Sequence, residues 1–146
     1  MKEIVLEFKG YWTESSAEFL PDQPGVYCVY RGAYDLDGRR VVLKELLYIG
    51  EAGNVRETVR THELKSAWLE HVKNGETLCY SYSPILFDRN RAEAALIHQH
   101  KPPENTDFLY DFPYDDTAVF ITGKTLLLSD CFVVLEQSLD ERERVS

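Results

Sequence analysis

Cysteine and methionine are scarce, with three and one in 146 residues. Cys28, Cys79 and Cys131 are widely spaced, form no CxxC pair and sit in strand-like segments. That pattern argues against a disulfide framework or a cysteine-ligated metal and predicts buried free thiols in a reducing, cytoplasmic setting. Long apolar runs are also missing. None approaches the ~18 residues needed to span a bilayer, so no membrane partner is expected. The first nine residues alternate apolar and polar and carry acids, unlike a signal peptide. No internal repeat or low-complexity linker interrupts the chain, so residues 1–146 read as a single domain.

Positive charge is in short supply as well. Sixteen Lys and Arg face 25 Asp and Glu, a net charge of −9, which argues against a broad nonspecific nucleic-acid surface. The deficit belongs to the ends: residues 1–24 hold two bases and five acids, and 106–146 hold three and nine. The segment 25–105 is balanced, with eleven of each sign.

What is present is ordinary for a globular chain: 44% hydrophobic and 28% charged residues, at a length that suits one domain with a real core. Periodicity predicts a small α/β (α+β) domain. A central antiparallel sheet comes from strands near 26–31, 41–49 and 77–82, the first two forming a hairpin across a polar loop from Gly32 to Arg40. Helices are expected near 54–62, 64–73 and 90–100, the last with Asp88 or Asn90 as its cap and stopped by Pro102-Pro103. Strands near 3–8, 118–122 and 125–136 extend or cover the sheet. Tyr11 to Pro24 reads as a connector with a helical turn at 15–20, and the charged tail from Asp140 to Ser146 reads as frayed.

The chain is organised around Leu46-Leu47-Tyr48-Ile49-Gly50, which runs through Glu51-Ala52-Gly53-Asn54 into a helix ending near His62. Asn54 is a good N-cap, since its side-chain oxygen can accept from the orphan amides of the first turn. Arg56 and Arg60 then share one helix face and Thr58 and His62 another. Such a strand–turn–helix can hold a phosphate, with Gly50 admitting close approach to the backbone and Arg56 and Arg60 supplying charge. An ordinary turn with a solvated basic face explains the same residues.

Other candidates also read two ways. Glu93 can complete a capping box behind Asn90, or it can be a carboxylate ligand for a hard divalent cation. Asn105 alone is a turn residue. Tyr27 and Tyr48 fall on adjacent strands and can simply pack side by side. His62, His71, His98 and His100 show no metal-ligand spacing.

Taken together, Gly25-Val26-Tyr27, Tyr48-Ile49-Gly50, His62, Glu93 and Asn105 resemble the GIY-YIG nuclease family over residues 25–105. The run from Glu93 to Asn105 is similar to the family's helix-to-asparagine segment, and 106–146 looks like a C-terminal extension. The resemblance implies an endonuclease that hydrolyses nucleic-acid phosphodiester bonds, with DNA as the expected partner. Tyr27 and Tyr48 would line the site, one of them helping to deprotonate water. Glu93 would bind a single Mg²⁺ or Mn²⁺, His62 would act near the scissile phosphate, and Asn105 would support the site.

One position departs from the pattern. The family places an arginine ten residues after the second tyrosine, and this chain has Thr58. Threonine offers one neutral hydrogen bond and no charge. Arg56 and Arg60 point about 200° around the helix from it. Two functions follow: an endonuclease weakened at this position, or a catalytically inactive module of the same fold. The inactive module would bind nucleic acid, or a protein partner through the acidic aromatic stretch from Asp107 to Asp116.

Overall fold

The computed structural model describes residues 1–35, 37 and 39–137. The predicted frayed tail lies outside them. The elements in chain order are strand β1 (Lys2–Thr13), a 3-10 helix (Glu14–Phe19), strands β2 (Gly25–Asp35) and β3 (Arg40–Ala52), helices α1 (Val55–Arg60) and α2 (Lys65–Leu69), strand β4 (Thr77–Pro84), helix α3 (Arg89–His100), and strands β5 (Thr117–Gly123) and β6 (Cys131–Val134).

The fold is mixed α and β, built on one six-stranded sheet in the order β3-β2-β4-β1-β5-β6. The β2–β3 hairpin and the β2–β4 pair are antiparallel, as expected for the central sheet. β1 does more than extend the sheet: it pairs antiparallel with β4 and parallel with β5, so the whole sheet is mixed. No helix among the described residues is long and apolar enough to cross a membrane.

Both faces of the sheet are covered, which is why Val26 to Tyr30 form an unbroken buried run rather than an alternating one. Val26, Cys28 and Tyr30 face the core under α3, where Ala92, Ala94, Ala95, Leu96 and Ile97 are all buried. Tyr27 and Val29 face the other way, toward a second core with Ala17 from the 3-10 helix, Leu20 just after it, and Val55, Val59 and Trp68 from α1 and α2.

Several boundaries differ from expectation. β1 runs on to Thr13, taking in the start of the supposed connector, and β2 runs to Asp35, so the hairpin loop is short. α2 covers only Lys65–Leu69, and Leu69 is exposed. Residues 124–130 form a loop, leaving β6 just four residues long. Cys28 and Cys79 are buried as expected, but Cys131 is exposed because it starts the outermost strand and faces away from the core. The aromatics after Asp107 serve mainly as cover: Phe112 is fully buried, and Phe108 and Tyr114 pack against the core, while Tyr110 stays exposed.

Candidate active-site cleft

β3 is an edge strand, and an edge leaves backbone donors and acceptors unpaired. Here the loop after α3 closes it. The Asn105 side chain accepts from the Ile49 N–H at 3.0 Å and donates to the Ile49 carbonyl at 2.9 Å. The Glu104 N–H donates to the Leu47 carbonyl at 3.0 Å. Asn105 is buried, so both bonds are sheltered from water. They fix the backbone on either side of Tyr48 and just before Gly50.

Gly50 faces Tyr27 across the β2–β3 ladder, and a β-carbon there would run into the Tyr27 ring and hydroxyl. The bare α-carbon thus makes room for a tyrosine rather than a ligand. The Tyr27 and Tyr48 rings lie 6.2 Å apart, with Tyr27 buried and Tyr48 half-buried. Burial, then Tyr48, Glu93 and Glu51, pushes the Tyr27 phenol far above its ordinary range. Tyr48 is raised by burial first, then by Glu93, Asp107 and other acids. Both phenols keep their protons at neutral pH.

Asn54 caps α1 as predicted, accepting from the Glu57 N–H at 3.1 Å. The helix stops at Arg60, and the chain turns to set His62 against Tyr48 at 5.2 Å and Trp68 at 4.6 Å between ring centroids. His62 Nδ1 accepts from the Leu64 N–H at 3.0 Å. The proton of the neutral ring therefore sits on Nε2. Burial lowers its pKa, which favours that neutral form.

α3 starts earlier than the capping-box reading requires. Asp88 precedes it in a left-handed conformation and makes no side-chain cap, pairing instead with Lys2 at 2.8 Å. Glu93 is then the fifth helical residue, too far in to cap, and that role is ruled out. Its carboxyl is held up to about 7 by burial and by the nearby charges of Glu51 and Asp107, partly offset by a hydrogen bond from the Glu51 N–H.

Tyr48, His62, Glu93 and Asn105 line one cleft of about 420 Å³, with Ile97, Leu64 and Phe108 as apolar wall. Tyr27 packs just beneath it, against Gly50. The remaining lining includes Glu63, Glu104 and Asp107, and no lysine or arginine. Arg56 is committed elsewhere: its Nε donates to the Leu20 carbonyl at 2.6 Å, and a terminal nitrogen lies 3.8 Å from Asp22. Arg60 is exposed on the last turn of α1, outside the lining, and Thr58 is half-buried.

Sequence reasoning misses Glu51 and Arg89, joined at 2.6 Å beside Glu93. Glu51 directly follows the Tyr-Ile-Gly run, so an acid in that place is a usable signal. Arg89 is visible only once α3 is placed. His71 and Glu104, 2.6 Å apart, with Glu104 in the cleft lining, are a second pair that only tertiary structure reveals.

The donor set suits one hard cation. Glu93, with Glu51 and Asp107 close enough to raise its pKa, offers carboxylate oxygens, and Mg²⁺ commonly takes one or two of these with water and substrate phosphate. Among the described residues no three His, Cys, Asp or Glu side chains form a complete metal cage. Comparison with protein-family models, curated proteins and solved structures finds no match to this chain.

Proposed function

We propose that the cleft is a GIY-YIG-type nuclease site that hydrolyses nucleic-acid phosphodiester bonds, with DNA the favoured substrate and Mg²⁺ or Mn²⁺ held at Glu93. The observation that carries this reading is the convergence of Tyr48, His62, Glu93 and Asn105, which are up to 57 residues apart in the chain, on one cleft with Tyr27 beneath. A divalent ion at Glu93 supplies the positive charge that phosphate oxygens need as charge develops on them.

The chain's own residues have separable roles. Asn105 and Gly50 set the tyrosine pair in place. His62 presents Nε2–H as a neutral donor toward a phosphate oxygen. The two phenols, with raised pKa values, are hydrogen-bond donors in the resting site. Thr58 leaves the phosphate without a cation from α1, so turnover is slow.

Cleavage of labelled single-stranded, double-stranded and branched DNA, with Mg²⁺ or Mn²⁺ against EDTA, tests the reading. Metal-dependent cleavage that disappears in Glu93→Ala is expected. A folded protein inert on every substrate would discard it.

The cleft lining has four carboxylates and no lysine or arginine, and this favours one second reading, a silent module of the same fold that binds a cationic protein segment. Capture of a lysine-rich peptide, abolished in Asp107→Asn/Glu63→Gln, with no cleavage in the same preparation, would support it.

A further inference from the structure

A cavity of about 500 Å³ lies at the opposite end of β2 from the cleft. Its walls come from the β2–β3 hairpin (Tyr34, Arg39, Arg40), from Tyr11 on β1, and from the turn leaving β5 (Lys124, Thr125). Seven residues of β2 separate Tyr27 from Tyr34, a distance of ~23 Å at ~3.3 Å per residue. The two cavities are therefore distinct.

Their chemistry is opposite. The cleft has acids and no base, while this pocket is lined by Arg39, Arg40 and Lys124 and by no Asp or Glu. In a chain of net charge −9, three cations sharing one concavity stand against the average field. Their charges are little used. Arg40 lies 3.4 Å from Asp35 with its side chain 73% exposed, a weak surface pair, and no ion pair involves Arg39 or Lys124 among the described residues.

The pocket also has fixed parts. The Lys124 N–H donates to the Phe8 carbonyl at 2.9 Å. Tyr11 stands edge-on to Tyr30 at 5.9 Å, and its hydroxyl accepts from the Leu126 N–H at 3.2 Å, leaving its own proton to donate. Burial raises the Tyr11 pKa, so that proton stays in place. Tyr34, on the pocket lining, is 49% exposed.

We propose that this pocket is a second, separate site for a nucleotide phosphate: Arg39, Arg40, Lys124 and the Tyr11 hydroxyl hold the phosphate, and a base stacks on Tyr34. Cations that neutralise phosphates beside an aromatic platform are the pattern by which single strands are bound without sequence preference. The phosphate can belong to a strand or to a free nucleotide, and binding requires no hydrolysis at the cleft.

The test is fluorescence anisotropy on the full chain in EDTA, which removes any metal-dependent cleavage. The probes are a labelled oligothymidylate and a labelled thymidine mononucleotide, measured at about 50 to 200 mM salt. Lys124→Gln is expected to weaken binding several-fold, whereas Lys73→Gln, which removes the same charge elsewhere, leaves it unchanged. In Arg39→Gln/Arg40→Gln/Lys124→Gln, the slope of log K against log salt should become shallower by about 0.7 for each phosphate that is no longer neutralised. Tyr34→Ala should weaken binding about tenfold.

Equal affinity for both probes would identify a free nucleotide as the ligand, and tight binding of the oligomer alone would identify a strand. The proposal is overturned if neither probe binds, or if the triple variant binds like the unmodified protein. It is also overturned if Lys73→Gln weakens binding as much as Lys124→Gln. Loss of cleavage at the cleft would leave these results untouched, so the two readings fail separately.

Discussion

Asn105 does with one side chain what a neighbouring strand would otherwise do, giving and taking a hydrogen bond at the Ile49 backbone. Because both bonds are buried, Asn105→Ala leaves a donor and an acceptor unsatisfied and should cost about 2 kcal/mol, read from the urea midpoint. A loss under about 0.5 kcal/mol would mean water reaches the edge and Asn105 holds nothing. Asn105 alone reads as a turn residue, because its partner lies 56 residues back in the chain.

Glu93 makes a pH-dependent claim. Its folded pKa is about 7 against 4.5 for an ordinary glutamate. Between those values the native state keeps a proton that the unfolded chain has released, so this group's contribution to stability falls as pH rises through that window. In EDTA, Glu93→Gln should therefore melt above the unmodified protein at about pH 8 and level with it near pH ~4. Equal melting temperatures under the alkaline condition would show that the carboxyl is not held in this environment.

At the scale of elements, the strand–turn–helix from Leu46 to His62 is readable because its signals are local. Asn54 caps α1 where the sequence places it, and Asn54→Ala should cost about 1 kcal/mol by thermal or urea denaturation. An unchanged midpoint would mean that packing of Val55 and Val59 sets the helix start alone. α3 is different. It begins after Asp88, one of the two caps the sequence offers, whose side chain pairs with Lys2 on β1 instead of capping, and the sequence alone does not choose between Asp88 and Asn90. Only the Asn90 alternative allows a capping role for Glu93. The parallel pairing of β1 with β5 is equally hidden, being a contact between ends of the chain more than 100 residues apart. Cys131 is misjudged because alternation shows that a strand has two faces, not which one an outermost strand turns to solvent.

At the scale of the molecule, charge is sorted by place. One end of β2 carries a cleft lined by four carboxylates and no lysine or arginine, the other a pocket lined by Arg39, Arg40 and Lys124 and no acid. The sequence shows a balanced middle and acidic flanks, but not this division, because Glu51, Glu93 and Asp107 meet only in three dimensions. The resemblance places an arginine where this chain has Thr58, and the structure adds that neither Arg56 nor Arg60 enters the lining.

The most direct measurement is the single-turnover rate of DNA cleavage in Thr58→Arg against the unmodified protein, with Thr58→Arg/Glu93→Ala alongside. If the cleft is a nuclease site short of one cation, the single variant should gain ~10²-fold, and the double variant should lose the activity. No gain from Thr58→Arg, or cleavage that survives in the double variant, would contradict the assignment of phosphodiester hydrolysis to this cleft.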